Sequence, residues 1–397
     1  MQKKTLRDLT DLRGKRVLIR VDFNVPLDEQ GHVTNDRRIR SALPTIRYVL
    51  EHGAAAIVMS HLGRPKGDPQ KDAIYRMDRV AERLRELLGK TVHKVDEVVG
   101  PTVTAAARAL QLGEVLLLEN LRFHPGEQKG DPEFARQLAD LGEVYVNDAF
   151  GTCHRTDASM YAVPQAMAGK PRVAGFLVAR ELEVLGRLLA SPEKPLVGVL
   201  GGAKVSDKIE FIKSMLARVD QLLVGGAMSY TFLKALGRGV GNSKAEADKL
   251  DAARELFQLG KDKIVLPVDH LIAEKPEPTV PTRIVEGDIP DGWIGLDIGP
   301  KTIAQYTAAI NRAGTVVWNG PLGKFEDEPF RRGTQAVATA LAECKGTTIV
   351  GGGETAEAVE AFGLDDKMTH VSTGGGAFLE FIAGAPFKPL EVLDDKG

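Results

Sequence analysis

Short unbroken runs of Val, Ile and Leu alternate along this chain with longer stretches in which apolar residues recur every three or four positions. In the first half the runs lie at 17–21, 55–59, 115–118 and 144–146. Because they are continuous rather than alternating, they predict strands covered on both faces, as in parallel sheets. Between them, 39–51, 77–88, 102–110 and 132–141 keep helical spacing, several with Pro or Asp near the start. From Leu196 the rhythm restarts, with runs at 196–200, 221–224, 263–266, 293–297, 315–318, 347–350 and 370–372. Strand then helix, repeated, means βαβ units.

The segment 158–195 carries Pro164, Pro171, Pro192 and Pro195 around a helical stretch near 178–190, and it predicts the junction between two halves. The expected fold class is α/β, with two doubly wound parallel-sheet (Rossmann-like) domains joined by a hinge. The expected bounds are 1–170 and 171–377, with about 378–397 packing back onto the first domain. A length of 397 residues agrees, since a single core stops growing at roughly 250–300 residues.

Composition narrows the function. Hydrophobic content of 43% with 27% charged residues is an ordinary globular balance and excludes a disordered or collagen-like chain. Lys plus Arg number 52 against 54 Asp plus Glu, so no global basic field attracts nucleic acid or an anionic membrane; any anion site must be local. The two cysteines, Cys153 and Cys344, have no metal-ligand spacing and fit a reducing compartment, so the cytoplasm is expected. Residues 1–9 have no signal-peptide core, and the charge-free stretch 221–233 is far short of a membrane span.

In open α/β sheets ligands bind beyond the carboxyl ends of strands, so the loops there are where chemistry is expected. The first run ends in Arg20-Val21-Asp22-Phe23-Asn24-Val25-Pro26, whose carboxylate and amide suit a hydroxylated ligand or, more simply, a turn bonded to its own backbone. Later strand ends carry His61-Leu62-Gly63-Arg64-Pro65, Arg122-Phe123-His124 and His154-Arg155, while Arg37 and Arg38 precede a helix. Any one of these arginines alone is best read as a surface ion pair. Several at matching topological positions predict a basket for a small polyanion, because guanidinium groups grip phosphate and carboxylate bidentately. The histidines suit general acids or hydrogen-bonding walls, and the residues do not choose between them.

In the second half the strand ends are glycine-rich: Gly201-Gly202-Ala203-Lys204, Gly225-Gly226, Gly351-Gly352-Gly353-Glu354-Thr355 and Gly374-Gly375-Gly376. Such turns bring backbone N–H groups and a helix start close to an anion, or else serve tight packing. Lys204 and Lys208, four apart, are expected on one side of a helix start. Gly89-Lys90-Thr91 lacks the first glycine of a Walker A loop, with Leu84 in its place. Gly351, Gly353 and Ala356 fit a relaxed dinucleotide pattern, which leaves an NAD-dependent oxidoreductase as an alternative, although Asp365 and Asp366 lie before the following strand.

Taken together, 20–26, 61–65, 118–124, 148–155, 201–208, 319–326, 351–355 and 372–377 resemble the phosphoglycerate kinase family in order and spacing, as do 42–46 and 296–302. The likeness covers essentially the whole chain. It implies reversible Mg²⁺-dependent phosphoryl transfer from 1,3-bisphosphoglycerate to ADP, giving 3-phosphoglycerate and ATP, by direct in-line transfer with domain closure. By that resemblance Arg38 and Lys204 are the catalytic residues. Asp22, Phe23, Asn24, Arg38, His61, Leu62, Gly63, Arg64, Arg122 and Arg155 bind the phosphoglycerate. Lys204, Lys208, Gly295, Pro321, Glu326, Gly352, Gly353, Glu354, Thr355, Gly374, Gly375 and Gly376 bind the nucleotide, and Glu354 meets Mg²⁺ directly or through a water. The resemblance implies small-molecule partners only, with no nucleic acid, no membrane and a monomeric state. A silent metabolite sensor on the same fold is the other alternative, against which the retained Arg38, Lys204 and Lys208 argue.

Three positions depart from the family pattern. Glu354 stands where an aspartate is usual, Asp157 where a histidine is common, and Lys324 where an apolar residue usually lines the nucleoside site. The first moves the metal-facing carboxylate by a methylene, and the second lowers local positive charge.

Overall fold

The computed structural model describes residues 2–397. They fall into two compact units, one comprising the described residues through Gly186 together with Pro386–Gly397, the other Arg187–Ala385. The division therefore lies inside the helix Phe176–Ala190 rather than at 170/171. The return to the first unit begins at Pro386 rather than at 378. Phe378 explains the second difference: its ring is fully buried against Gly351, where a Cβ would stand 2.3 Å from the ring, and this holds the helix Gly376–Ile382 in the second unit. The returning tail is fixed by Lys3 Nζ donating to Leu393 O (2.9 Å) and by Arg172 Nη2 to Asp394 (3.1 Å).

The first unit holds β1 (Arg16–Val21), β2 (Ala55–Met59), β3 (Val92–Lys94), β4 (Val115–Leu117), β5 (Val144–Asp148) and β6 (Arg172–Ala174). They form one parallel sheet in the order β3-β4-β2-β1-β5-β6. Both faces of β1 are buried, which is why its residues read as a continuous apolar run. The chain leaves β1 toward β2 on one side and returns to β5 on the other, so the ends of β1 and β5 flank a topological switch point.

The second unit repeats the plan with β7 (Leu196–Leu200), β8 (Gln221–Val224), β9 (Ile264–Val265), β10 (Asp269–Ala273), β11 (Arg283–Glu286), β12 (Ile294–Ile298), β13 (Thr315–Asn319), β14 (Thr347–Gly351) and β15 (His370–Val371). Its six-stranded sheet runs β15-β14-β13-β7-β8-β9, with the switch between β7 and β13. The apolar run at 293–297 departs from expectation: as β12 it pairs antiparallel with β10, in a separate three-stranded sheet completed by β11. An apolar run signals burial but not the direction of its partner.

One buried carboxylate anchors the helix that crosses from unit to unit. Gly175 precedes the helix Phe176–Ala190, and the N-terminal N–H of Leu177 donates to Asp148 Oδ1 at 2.9 Å. The cap thus comes from the end of β5 rather than from the neighbouring residue. A Cβ on Gly175 would lie 2.1 Å from the same oxygen, so only glycine fits. Burial pushes the Asp148 carboxyl up to about 7 against the hydrogen bonds from Thr45, Val178 and Leu177.

With the folded value raised, this group's stability contribution is complete below the ordinary carboxylate range and is lost as pH climbs toward about 7. Asp148→Asn keeps the acceptor oxygen and removes the titration. Its melting temperature relative to the parent should therefore rise by a few degrees between about pH 4 and about pH 7 and stay level above that. A difference that does not vary with pH would contradict the assignment.

Candidate active site

At the switch point of the first unit the strand-end side chains hold one another. Asp22 accepts an ion pair from Arg38, which lies at the second position of the helix Arg37–Glu51 rather than ahead of it. Burial raises the Asp22 carboxyl, but the charges of Arg38 and Arg20 outweigh this and hold it below its usual range. Asp22 Oδ1 also accepts from the Asn24 N–H at 3.2 Å, so the simple turn is real, while Asn24 Oδ1 receives the Gly63 N–H at 2.8 Å. Gly63 has φ +62°, and a Cβ there would sit 2.2 Å from the Tyr75 ring, so no other residue fits.

Two residues expected to touch substrate turn inward. The Phe23 ring is fully buried and its N–H donates to Ser60 Oγ. Leu62 is buried, with its N–H and C=O both taken by the Asn120 side chain. Their apolar side chains fill the core under the loops, which is why these positions are hydrophobic. Arg64 is exposed and forms no ion pair among the described residues.

Arg20, outside the expected set, organises the cluster. Its side chain is buried, with Nε donating to Ser159 Oγ (2.8 Å), Nη1 to Val21 O and Nη2 to His61 Nδ1 (3.0 Å). Ser159 in turn donates to Glu127 Oε1 at 2.5 Å. A guanidinium only donates, so His61 Nδ1 accepts and the ring proton sits on Nε2. Burial, followed by the charges of Arg20, Arg122 and Arg155, keeps His61 well below its ordinary range despite Asp22. His61 is therefore neutral at neutral pH, with Nε2–H left as a hydrogen-bond donor.

Arg122 gives Nη1 to Gly63 O (2.7 Å), while its Nε and Nη2 are buried with no partner. Burial and then the nearby Arg155 charge lower its pKa, with Asp157 partly offsetting them. Guanidinium groups crowded together with donors to spare are matched to an anion of high charge. Cys153, in the same loop system, is buried with its thiol pushed up by burial, and so is no nucleophile.

The second unit offers backbone instead of side chains. Across its switch point Gly201 N donates to Asn319 O (2.9 Å) and Gly202 N to Pro321 O (2.8 Å). A Cβ on Gly201 would be 2.1 Å from Pro321 O, so the two strand ends approach this closely only because of glycine. Beside them lies a cavity of about 590 Å³, lined by Gly202, Gly226, Tyr230, Lys244, Gly295, Pro321, Lys324, Glu326 and Glu354 among others. That volume suits a nucleotide. Gly295 is required by Tyr230, whose hydroxyl would lie 2.2 Å from a Cβ. Asn242 and Lys244 were not legible as wall residues because they lie far from any strand-end motif, and Tyr230 because it lies in the helix after Gly225-Gly226, where an apolar-periodic position reads as core.

Lys204 and Lys208 do not share a helix face. Lys204 is exposed in the loop after β7, and Lys208 ends the 3₁₀ turn Ser206–Lys208, before the helix Ile209–Leu216 begins. Lys208 Nζ donates to Gly201 O at 2.7 Å, and its pKa is lowered to about 8 by burial, against the nearby Glu354 charge. Glu354 is exposed in the first turn of the helix Gly353–Ala361. Thr355 is buried and accepts the Gly320 N–H at 2.7 Å, tying β13 to that helix.

Of the remaining glycines, Gly352 has φ +97° and would press on Asn319 Nδ2. At Gly353 and Gly376 a Cβ would meet nothing within 4 Å, so packing does not demand glycine there and room remains for a ligand; Gly375 is equally open but has φ +52°, which favours glycine by itself. Gly374 N donates to Ser372 Oγ at 3.0 Å. Asp365 and Asp366 sit in a 3₁₀ turn ahead of β15, not at a strand end, which removes the ribose acid of the dinucleotide alternative.

Comparison with known proteins identifies the family. A family model described as phosphoglycerate kinase matches residues 6–385. The phosphoglycerate kinase of Moorella thermoacetica is 54% identical over 400 residues, covering 100% of both chains. That of Rubrobacter xylanophilus is 53% identical, covering 100% of this chain and 99% of its own. Among solved structures, the Pyrococcus horikoshii enzyme superposes with a TM-score of 0.87 at 32% identity, covering 99% of this chain and 98% of its own. The Coxiella burnetii enzyme gives 0.85 at 39%, covering 98% of each. With two parallel-sheet units, an arginine cluster on one and a glycine-walled cavity on the other, the chain belongs to the phosphoglycerate kinase family.

Proposed function

We propose that the chain's phosphoglycerate kinase reaction is carried by two half-sites of opposite construction. In the first unit Arg38, Arg64, Arg122 and Arg155 grip 3-phosphoglycerate or 1,3-bisphosphoglycerate, with Asp22, Asn24 and the His61 Nε2–H completing the recognition. The observation that carries this half is Arg122, whose Nε and Nη2 are buried and unpartnered beside other guanidinium groups. Phe23 and Leu62 act only as the floor beneath the loops.

In the second unit the nucleoside lies in the cavity against Gly295, Pro321 and Lys324, with Glu326 at the ribose. Gly352, Gly353, Thr355 and Gly374–376 line the phosphates, and Lys208 holds them. Glu354 is one exposed carboxylate, and no cluster of three or more metal-ligating side chains exists among the described residues. That donor set fits Mg²⁺ carried in on ADP or ATP, where one carboxylate and the phosphates suffice, and not a resident metal cage. When bound, Mg²⁺ would neutralise phosphate charge; the longer Glu354 arm would reach it directly or through a water.

Lys204 stabilises the transferring group, and Arg38 reaches it from the substrate side. No covalent intermediate is needed, because catalysis of this kind is positioning and charge stabilisation. In-line attack needs reacting atoms about 3–3.5 Å apart, so the half-sites must meet during turnover. A reducing cytoplasm suits the two free cysteines, and the chain is read as a monomer.

Arg38→Ala and Lys204→Ala should each lower kcat by roughly 10²–10³-fold in an assay with 3-phosphoglycerate, MgATP and a coupling dehydrogenase. Parental turnover in either variant would remove that residue from the mechanism. Lys208 gives a second test. Its pKa of about 8 means that charge is lost as pH rises through that value, weakening the free protein's grip on phosphates, whereas a bound polyanion restores the proton. Calorimetry of ATP binding near pH 8 in buffers of different ionisation enthalpy should show proton uptake that Lys208→Met abolishes. Uptake unchanged in the variant would refute this role.

A further inference from the structure

Lys204 is exposed and belongs to no helix, with the next residue, Val205, buried, yet the reading above asks it to place an ammonium group against a transferring phosphoryl. Something must fix it. The second unit supplies a carboxylate from a distant segment: Glu246 Oε2 accepts the N–H of Val205 at 2.6 Å and of Ser206 at 3.2 Å, and its Oε1 accepts the Ser206 hydroxyl at 2.6 Å. Three donors on the two residues immediately after Lys204 thus converge on one side chain. Burial raises the Glu246 carboxyl, but these bonds outweigh it and keep the group ionised below the ordinary range. Glu246 is itself held from behind, where its N–H donates to Thr231 Oγ1 at 3.0 Å, and Thr231 is buried in the helix Met228–Ala235.

The same short segment touches the cavity. Asn242 and Lys244 line it, and Ser243 Oγ accepts the N–H of Gly295, a wall residue, at 2.9 Å. Residues 242–246 therefore bond to the nucleoside wall at one end and to the Lys204 loop at the other.

We infer that Glu246 is a positioning residue for Lys204, which it serves by clamping the backbone of Val205 and Ser206. This rests on the reading that Lys204 stabilises the transferring group. Glu246 touches no reacting atom, so its effect must pass through Lys204. Charge-assisted bonds from two backbone N–H groups and a hydroxyl define one loop geometry, and without them the lysine samples positions in which its charge is wasted.

The test is a double-mutant cycle on the full-length protein, comparing the parent, Glu246→Ala, Lys204→Ala and the double variant. Glu246→Ala should lower kcat by about tenfold or more, with KM for ATP changing by less than about threefold. In the Lys204→Ala background the same change should cost less than about twofold. Glu246→Gln keeps an oxygen for the two N–H groups and should recover most of the kcat, whereas Glu246→Asp, one methylene short, should not. If Glu246→Ala does not fold by circular dichroism, the cycle is run with Glu246→Asp. An equal loss of kcat in both backgrounds would make Glu246 merely structural and overturn the inference, as would a loss confined to KM. Parental kcat in Lys204→Ala alone would instead sink the reading of Lys204, and this inference with it.

Discussion

The arginine cluster of the first unit depends on one buried guanidinium. Arg20 sits inside the end of β1 and gives its donors to Ser159, to its own strand and to His61. Burying a cation is expensive unless it is hydrogen-bonded and near compensating charge. Here Ser159 relays to Glu127, and Asp22 also feels the Arg20 charge. Those bonds offset the cost of burying Arg20 without drawing on the neighbouring arginines. Arg122 is left with donors to spend on a ligand, and His61 is held neutral in one tautomer.

The other half is governed by steric room rather than charge. Strand ends β7 and β13 approach until a single Cβ on Gly201 would strike the carbonyl of Pro321. The N–H groups of Gly201 and Gly202 are spent on this contact, on Asn319 O and Pro321 O, so it serves to bring the two strand ends together beside the cavity. The proposed electrostatic grip on one side and the open, glycine-walled cavity on the other suit a transfer that builds no covalent intermediate. The departures fit around this plan. Asp157 is buried and its charge reaches Arg122, tempering the basket, while Lys324 hydrogen-bonds Pro276 O at 2.9 Å, pairs with Asp327 and still lines the cavity.

Much of the fold was legible because parallel strands covered on both faces must be continuous apolar runs. The runs 55–59, 196–200 and 221–224 coincide with β2, β7 and β8. Shorter strands such as β3 and β6 leave too few residues for any period to register. The antiparallel placement of β12 could not be read, since pairing direction is set by a distant segment. The candidate site was legible where polar side chains gather at strand ends, as Arg38, His61 and Arg122 do, or where glycine is sterically compelled. It was not legible where a motif residue faces the core, as Phe23 and Leu62 do, or where a distant residue acts on the motif, as Glu246 does. Lys204 and Lys208 do not share one side of a helix start because a 3₁₀ turn intervenes, and four-residue spacing says nothing of that.

The central claim is that Arg20 holds His61 as a neutral imidazole with its proton on Nε2, a hydrogen-bond donor in the arginine cluster and not a further cation. Nitrogen-15 NMR of the imidazole, followed across pH with and without 3-phosphoglycerate, measures this directly. The account predicts a ring that keeps its proton on Nε2 and does not titrate near its ordinary pKa of about 6.5. An imidazolium forming near that value in the free protein, or a proton found on Nδ1, would contradict it.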